Sequence, residues 1–384
     1  MKKDNKKAIA FLALAIVASL AFTLFGVVGR ASAETAYTGS AECMIVLERD
    51  SGRVLNEKNA DKKRPMASTT KIATAITVIE NVADLDKKVK VPSCAVGVEG
   101  SSIYLENDEE LTVRDLLYGL MLQSGNDCAV ALAVTTAGSV EKFAELMNET
   151  ARKAGATNTH FVNPHGLHHD KHYTTARDLG MISAYAMKNA VFREIVGTKR
   201  YVMPWKDREY DRVIVNKNKI LSTYDGGDGV KTGYTKKAGR CLVASATRNG
   251  MNVIAVVLNC GPMFEDCRQL LENAFSTYSL KDVSEAVDLS SVCARVDNGK
   301  TDSARLETEK GLLYPLTEDE YRNIRYEVSE ISPMRAPVHS GDENGKIKIY
   351  SDNRLLFERK LYSIEEVASL DLADILYDIV GRWD

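Results

Sequence analysis

The chain has no pair of cysteines at disulfide or metal-ligand spacing, no surplus of basic residues, and no histidine pattern that fits a zinc template. Each lack excludes something. Its seven cysteines are an odd number, so at least one stays unpaired. Most of them lie in apolar runs such as Cys43-Met44-Ile45-Val46 and Cys241-Leu242-Val243 and read as small buried hydrophobes. Lys and Arg total 50 against 53 Asp and Glu, a net charge of -3 that argues against nucleic acid as a partner. His160, His165, His168, His169 and His172 crowd into 13 residues, yet their spacing suits loop structure better than a metal, so neither metal nor cofactor is expected.

What is present begins with an address. Lys2, Lys3, Lys6 and Lys7 precede an uncharged apolar run of 21 residues, Ala8 to Val28, and Ala31-Ser32-Ala33 offers a small-residue cleavage site. Residues 1–33 therefore read as a secretory signal peptide. The run is also long enough to span a bilayer, which leaves an uncleaved anchor open. Removing it takes away five basic residues and one acid and moves the net charge to -7.

Residues 34–281 read as one α+β domain. Ala41 to Leu47 predicts a buried strand, and Asp50-Ser51-Gly52-Arg53 a turn into a second one. Ile72, Ala75, Ile76 and Ile79 recur at helical spacing, and further helices are expected at Val113 to Leu122, Val140 to Ala154, Thr175 to Met187 and Asp266 to Tyr278. Strands return at Cys241 to Ala246 and Val253 to Leu258 around an Arg248-Asn249-Gly250 turn, so the sheet draws on distant parts of the chain. Residues 282–361 alternate as short strands of a small β domain. From Ile364 to Trp383 apolar residues recur at helical spacing. The stretch 362–384 carries six acids against Arg382, so this amphipathic helix is expected to dock on protein rather than on an anionic membrane.

Three short strings carry chemistry. Ser68-Thr69-Thr70-Lys71 puts a hydroxyl and an amine three residues apart, on one face of a helix, so a neutral Lys71 can take the Ser68 proton. Burial and a second cation such as Lys231 would both favour that neutral form. Ser124-Gly125-Asn126 follows the apolar stretch Leu116 to Leu122, placing Ser124 as a proton relay and the Asn126 amide against a substrate carbonyl. Lys231-Thr232-Gly233 follows a glycine-rich entry to a strand, where Gly233 lets backbone approach a ligand. Any one string is weak. Ser139-Val140-Glu141-Lys142 also fits the first pattern, but Ser139 after Gly138 is a helix cap, and Ser351-Asp352-Asn353 is turn chemistry. All three in this order, each in fitting local structure, point to a serine acyl-transfer enzyme.

With Pro65-Met66-Ala67-Ser68-Thr69-Thr70-Lys71, Gln123-Ser124-Gly125-Asn126-Asp127, Phe161-Val162-Asn163-Pro164-His165-Gly166-Leu167, His172-Tyr173-Thr174-Thr175-Ala176 and Asp228-Gly229-Val230-Lys231-Thr232-Gly233-Tyr234-Thr235, the mature chain resembles the penicillin-binding D-alanyl-D-alanine carboxypeptidases. The resemblance implies a β-lactamase/transpeptidase-like domain, an antiparallel sheet with helices on both faces and a helical subdomain. It also implies export to the cell envelope, a peptidoglycan stem peptide as substrate, and covalent trapping by β-lactams. On that likeness Ser68 is the nucleophile, Lys71 its base and Ser124 the relay. Asn126, Lys231, Thr232, Gly233, Tyr234 and Thr235 bind substrate, with the N–H groups of Ser68 and Tyr234 holding the oxyanion.

One departure stands out. Many relatives carry an arginine where this chain has Met263, which shifts carboxylate binding toward Thr232, Thr235 and Arg240. Two rival readings share the pocket. A β-lactamase-like hydrolase commonly uses a glutamate to activate its water, and no Glu-x-x-Leu-Asn run lies between Asn126 and Lys231. A non-catalytic penicillin-binding scaffold usually loses one member of the Ser68, Lys71, Ser124, Lys231 set, and none is lost here.

Overall fold

The computed structural model describes residues 37, 39–374 and 376, so the signal-peptide reading and the segment beyond 376 lie outside the described residues. Five strands, β1 (Cys43–Glu48), β2 (Val54–Lys58), β3 (Gly227–Thr235), β4 (Gly239–Arg248) and β5 (Met251–Leu258), form one sheet in the order β2-β1-β5-β4-β3. All four pairings are antiparallel. Every residue of β1 and β5 is buried, the mark of central strands covered on both faces. Asn249 and Gly250 both take positive φ, +48° and +80°, closing the predicted hairpin between β4 and β5 with the twist such turns need.

The helices that position the site and cover the sheet include α1 (Lys71–Asn81), α2 (Val113–Tyr118), α3 (Asn126–Ala137), α4 (Val140–Lys153), α5 (Ala176–Met187) and α6 (Met263–Thr277). Ser139 caps α4 by accepting from the Lys142 N–H, and Thr175 caps α5 in the same way through Asp178. Ile45 and Leu47 of β1 share a core with α1 and α5, whereas α6 packs on β4 and β5. The expected helix Val113 to Leu122 is two pieces: α2, then a wider π-turn over Gly119–Gln123 that ends at Ser124.

Beyond α6 the chain is mainly β, with a six-stranded sheet around Leu306, Ile347, Ile349 and Leu361. Arg53 joins the two parts. Its guanidinium donates to the Pro315 carbonyl, pairs with Glu320 at 2.5 Å and lies 4.8 Å from the Tyr278 ring centre. The amphipathic helix expected from Ile364 does not start there. Val367 is buried in a bridge to Val338 and Ser369 pairs with Gly299, so the chain stays extended to Leu370 and turns helical at Leu372. A buried β-bridge outweighs an apolar spacing that fits a helix. All seven thiols are free, five of them buried and Cys94 and Cys293 exposed. No described helix is long and apolar enough to cross a membrane.

Candidate active site

Ser68 lies in a single 3-10 turn, Ala67–Thr70, that feeds α1, and Lys71 opens the helix. The turn is over-determined. Ala67 is held at φ +50°, its carbonyl accepts from Thr70 Oγ1 at 2.8 Å, and a Cβ on Gly166 would fall 1.9 Å from that same oxygen. Only glycine lets the 163–167 loop close over the nucleophile. His172 braces it from below: its Nδ1 accepts from the Val162 N–H, so the ring proton sits on Nε2 and is given to Thr70 Oγ1 at 2.8 Å. Burial pushes His172 down to about 3, so the ring stays neutral.

Lys71 Nζ lies 3.1 Å from Ser68 Oγ and 2.7 Å from both Asn126 Oδ1 and the His165 carbonyl. The lysine is fully buried, and burial first, then the Lys231 ammonium, hold its pKa well below the usual value. A neutral amine has two N–H bonds and one lone pair. Asn126 Oδ1 and the His165 carbonyl can only accept, so they take both N–H bonds and leave the lone pair facing the Ser68 hydroxyl. The contacts thus suit a base rather than an ammonium. Asn126 is fixed in turn, its Nδ2 donating to the Glu99 carbonyl at 2.5 Å and its N–H to the Ser101 carbonyl at 2.7 Å. One Nδ2 hydrogen remains for a substrate carbonyl.

The opposite wall is looser. Ser124 ends the π-turn in a left-handed conformation, φ +67°; the residue is 5% exposed and its hydroxyl has no hydrogen-bond partner among the described residues. Lys231, 1% exposed, donates only to the Thr232 carbonyl at 3.0 Å, and burial followed by the Lys217 charge push it down to about 7. Gly233 brings edge strand β3 against the nucleophile: a Cβ there would meet Met66 O, Ser68 N and Thr69 N at 3.0 Å each. Tyr234 follows, exposed, and Thr235 Oγ1 accepts from the Ala238 N–H to shape the β3–β4 turn.

Arg240 does not join this group. It pairs across the sheet with Tyr234 and so lies on the face opposite Lys231, the one that Thr232 and Tyr234 also take. There its guanidinium donates to the Gly261 carbonyl. Two groups escaped the sequence reading. One is the His165 carbonyl, a backbone atom with no letter of its own. The other is Lys217, exposed at the rim, whose Nζ donates to the Gln123 carbonyl at 2.9 Å beside Ser124.

Residues 30–261 match the D-alanyl-D-alanine carboxypeptidase family, and residues 275–369 match the C-terminal domain of penicillin-binding protein 5. The D-alanyl-D-alanine carboxypeptidase DacF of Bacillus subtilis is 32% identical over 364 residues, covering 92% of each chain. DacC of Escherichia coli is 31% identical, covering 88% of this chain and 87% of its own. Among solved structures, penicillin-binding protein 5 of Haemophilus influenzae aligns at a TM-score of 0.69 with 25% identity, over 86% of this chain and 98% of its own. The DD-transpeptidase of Streptomyces K15 aligns at a TM-score of 0.58 with 36% identity, over 62% of this chain and 98% of its own. Sequence, sheet order and the serine–lysine geometry agree: the chain belongs to the D-alanyl-D-alanine carboxypeptidase family and is a serine-type carboxypeptidase of that specificity.

Proposed function

We propose that Ser68 removes the terminal D-alanine of peptidoglycan stem peptides through an acyl-enzyme. Lys71 takes the Ser68 proton as Oγ attacks the carbonyl between the two D-alanines, and the oxyanion is received by the N–H groups of Ser68 and Tyr234. Losing one such donor costs on the order of 3 kcal/mol in the transition state. When the C–N bond breaks, Ser124 passes a proton to the departing amine, and Lys231 and Thr232 bind its carboxylate. Lys71, having given the Ser68 proton to that amine through Ser124, is neutral again; water then attacks the ester and gives a proton to Lys71, which returns it to Ser68 Oγ as the ester C–O bond breaks. The observation that carries this reading is the Lys71 contact set, whose two obligate acceptors leave a lone pair for Ser68.

The same chemistry makes β-lactams suicide substrates of Ser68. A basic, apolar N-terminal lead with a cleavage site at Ala33 supports export to the cell envelope, where such peptides occur. Residues 34–281 perform the reaction and residues 282–361 accompany it.

Incubating the protein with a peptide ending in D-Ala-D-Ala and measuring free D-alanine tests the proposal. Steady release that stops in Ser68→Ala, with penicillin forming a lasting adduct on Ser68, is the expected result. Rapid penicillin turnover would point instead to a β-lactamase-like hydrolase, and an adduct without peptide turnover to a binding scaffold.

A further inference from the structure

We propose that the aromatic surface formed by Tyr104, Trp205 and Tyr210 binds the glycan strand that carries the stem peptide. The inference rests on the reading above and extends it from the scissile end of the substrate to the saccharide end.

Two loops build this surface. Tyr104 stands on the segment 99–105, whose Glu99 and Ser101 carbonyls accept from Asn126, and Trp205 and Tyr210 stand between the paired strands Arg200–Met203 and Arg212–Val215. Arg212 joins them. Its buried guanidinium pairs with Glu109 at 2.9 Å, donates to the Tyr104 carbonyl at 3.3 Å and lies 4.8 Å from the Trp205 ring centre. Lys206 Nζ donates to the Asn107 carbonyl at 2.8 Å and ties the loops together a second time. Trp205 and Tyr210 meet edge to face, their ring centres 5.8 Å apart and their planes at 89°.

Tyr104 is the member that packing does not explain. It is 73% exposed, yet its backbone is held at φ +61°, a costly conformation for a bulky residue. The buried Asp127 carboxylate enforces it, accepting from the Ile103 N–H at 3.0 Å, the Leu105 N–H at 3.2 Å and Ser102 Oγ at 2.5 Å, while Ser102 Oγ accepts from the Tyr104 N–H at 2.8 Å. The fold gains little from a ring left in water. A ring held there rigidly is pre-organised for a partner.

The position and chemistry of the surface point to sugar. The leaving group departs toward Ser124 and Lys231, so the rest of the substrate extends on the Asn126 side, which segment 99–105 builds. There the stem peptide leads to its glycan. A pyranose presents a flat face of C–H bonds, which the electron-rich face of an aromatic ring attracts, and a rim of hydroxyls that suits N–H donors such as Arg208, 5.8 Å from the Trp205 ring.

The test follows D-alanine release by the full chain from two substrates, a pentapeptide ending in D-Ala-D-Ala and the same pentapeptide attached to an N-acetylated disaccharide. Wild-type kcat/KM is expected to be about tenfold higher with the sugar attached. Tyr104→Gly, which removes the ring and suits the positive φ, and Tyr210→Ala should each remove most of that advantage, and Tyr104→Phe should keep it. A wild type that treats the two substrates alike overturns the proposal. So does an advantage that neither ring removal changes, including an equal loss on both substrates, which would assign the rings to the peptide.

A second arm needs no catalysis. Trp205 and Trp383 are the two tryptophans of the chain, so in a Ser68→Ala, Trp383→Phe background Trp205 alone reports. Titration with a tetrasaccharide of N-acetylglucosamine should change its fluorescence saturably, and adding Tyr104→Gly should weaken the binding about tenfold. The absence of a saturable change overturns the proposal. If the wild type releases no D-alanine from either substrate, the catalytic reading has failed, and the titration still decides the glycan surface.

Discussion

The two walls of the cleft are built on opposite plans. On the nucleophile side, Lys71, Asn126, Thr70 and His172 are buried, and the polar atoms that brace Ser68 already have partners. On the leaving-group side, the Ser124 hydroxyl has no protein partner, Lys231 reaches only the carbonyl of the next residue, and Lys217 is exposed. Proton abstraction needs a base of fixed position and fixed protonation state before substrate arrives, so that wall is complete in advance. The wall that meets a carboxylate and a departing amine has interactions left open, and the substrate supplies the missing half.

Deleting a group on each wall should therefore have different consequences. The largest is expected from Lys71→Met, which removes the base: the rate of penicillin acylation of Ser68 should fall by about 10² to 10⁴. A fall of less than tenfold would mean that another group takes the proton.

Next comes Asn126→Ala. It strands a buried Lys71 N–H, a loss worth about 1–3 kcal/mol, so the thermal midpoint should drop by several degrees along with activity. Ser124→Ala removes a hydroxyl that has no hydrogen-bond partner among the described residues before substrate binds. It should impair D-alanine release while the midpoint stays within about a degree. Equal thermal losses from the two variants would erase the distinction between the walls.

Much of this site was legible from side chains alone. Ser68, Lys71, Ser124 and Lys231 are named by letters whose order along the chain carries the chemistry, and the Asn249-Gly250 turn and the Ser139 cap follow from local rules. What stayed hidden depends on long-range packing. The second acceptor on Lys71 is the carbonyl of His165, which any residue would supply, and it is set in place by Gly166 meeting Ala67 across the fold. Lys217 reads locally as a loop lysine, and only the convergence of Gln123 with the Asn216–Asn218 segment gives it a place. The segment after Ile364 shows the reverse error: its apolar spacing fits a helix, but the partner of Val367 is Val338, 29 positions earlier in the chain, and no local pattern reports that bridge.

The smallest effect tests whether the walls communicate. The Lys71 pKa is lowered first by burial and second by the Lys231 ammonium, so removing that charge with Lys231→Met must raise it. Lys71 acts as a base only when neutral, that is, above its own pKa. The acid limb of acylation rate against pH should accordingly move to higher pH in the variant. Lys231 itself loses its proton near 7 in the free enzyme, and if its charge assists acylation the wild-type rate declines above that point; the variant has no such group, so its alkaline limb should vanish. The shape of the profile, normalised to its own maximum, separates this effect from any loss of substrate binding. An acid limb that stays put would show that burial alone tunes the base, and that the leaving-group wall acts on substrate without acting on Lys71.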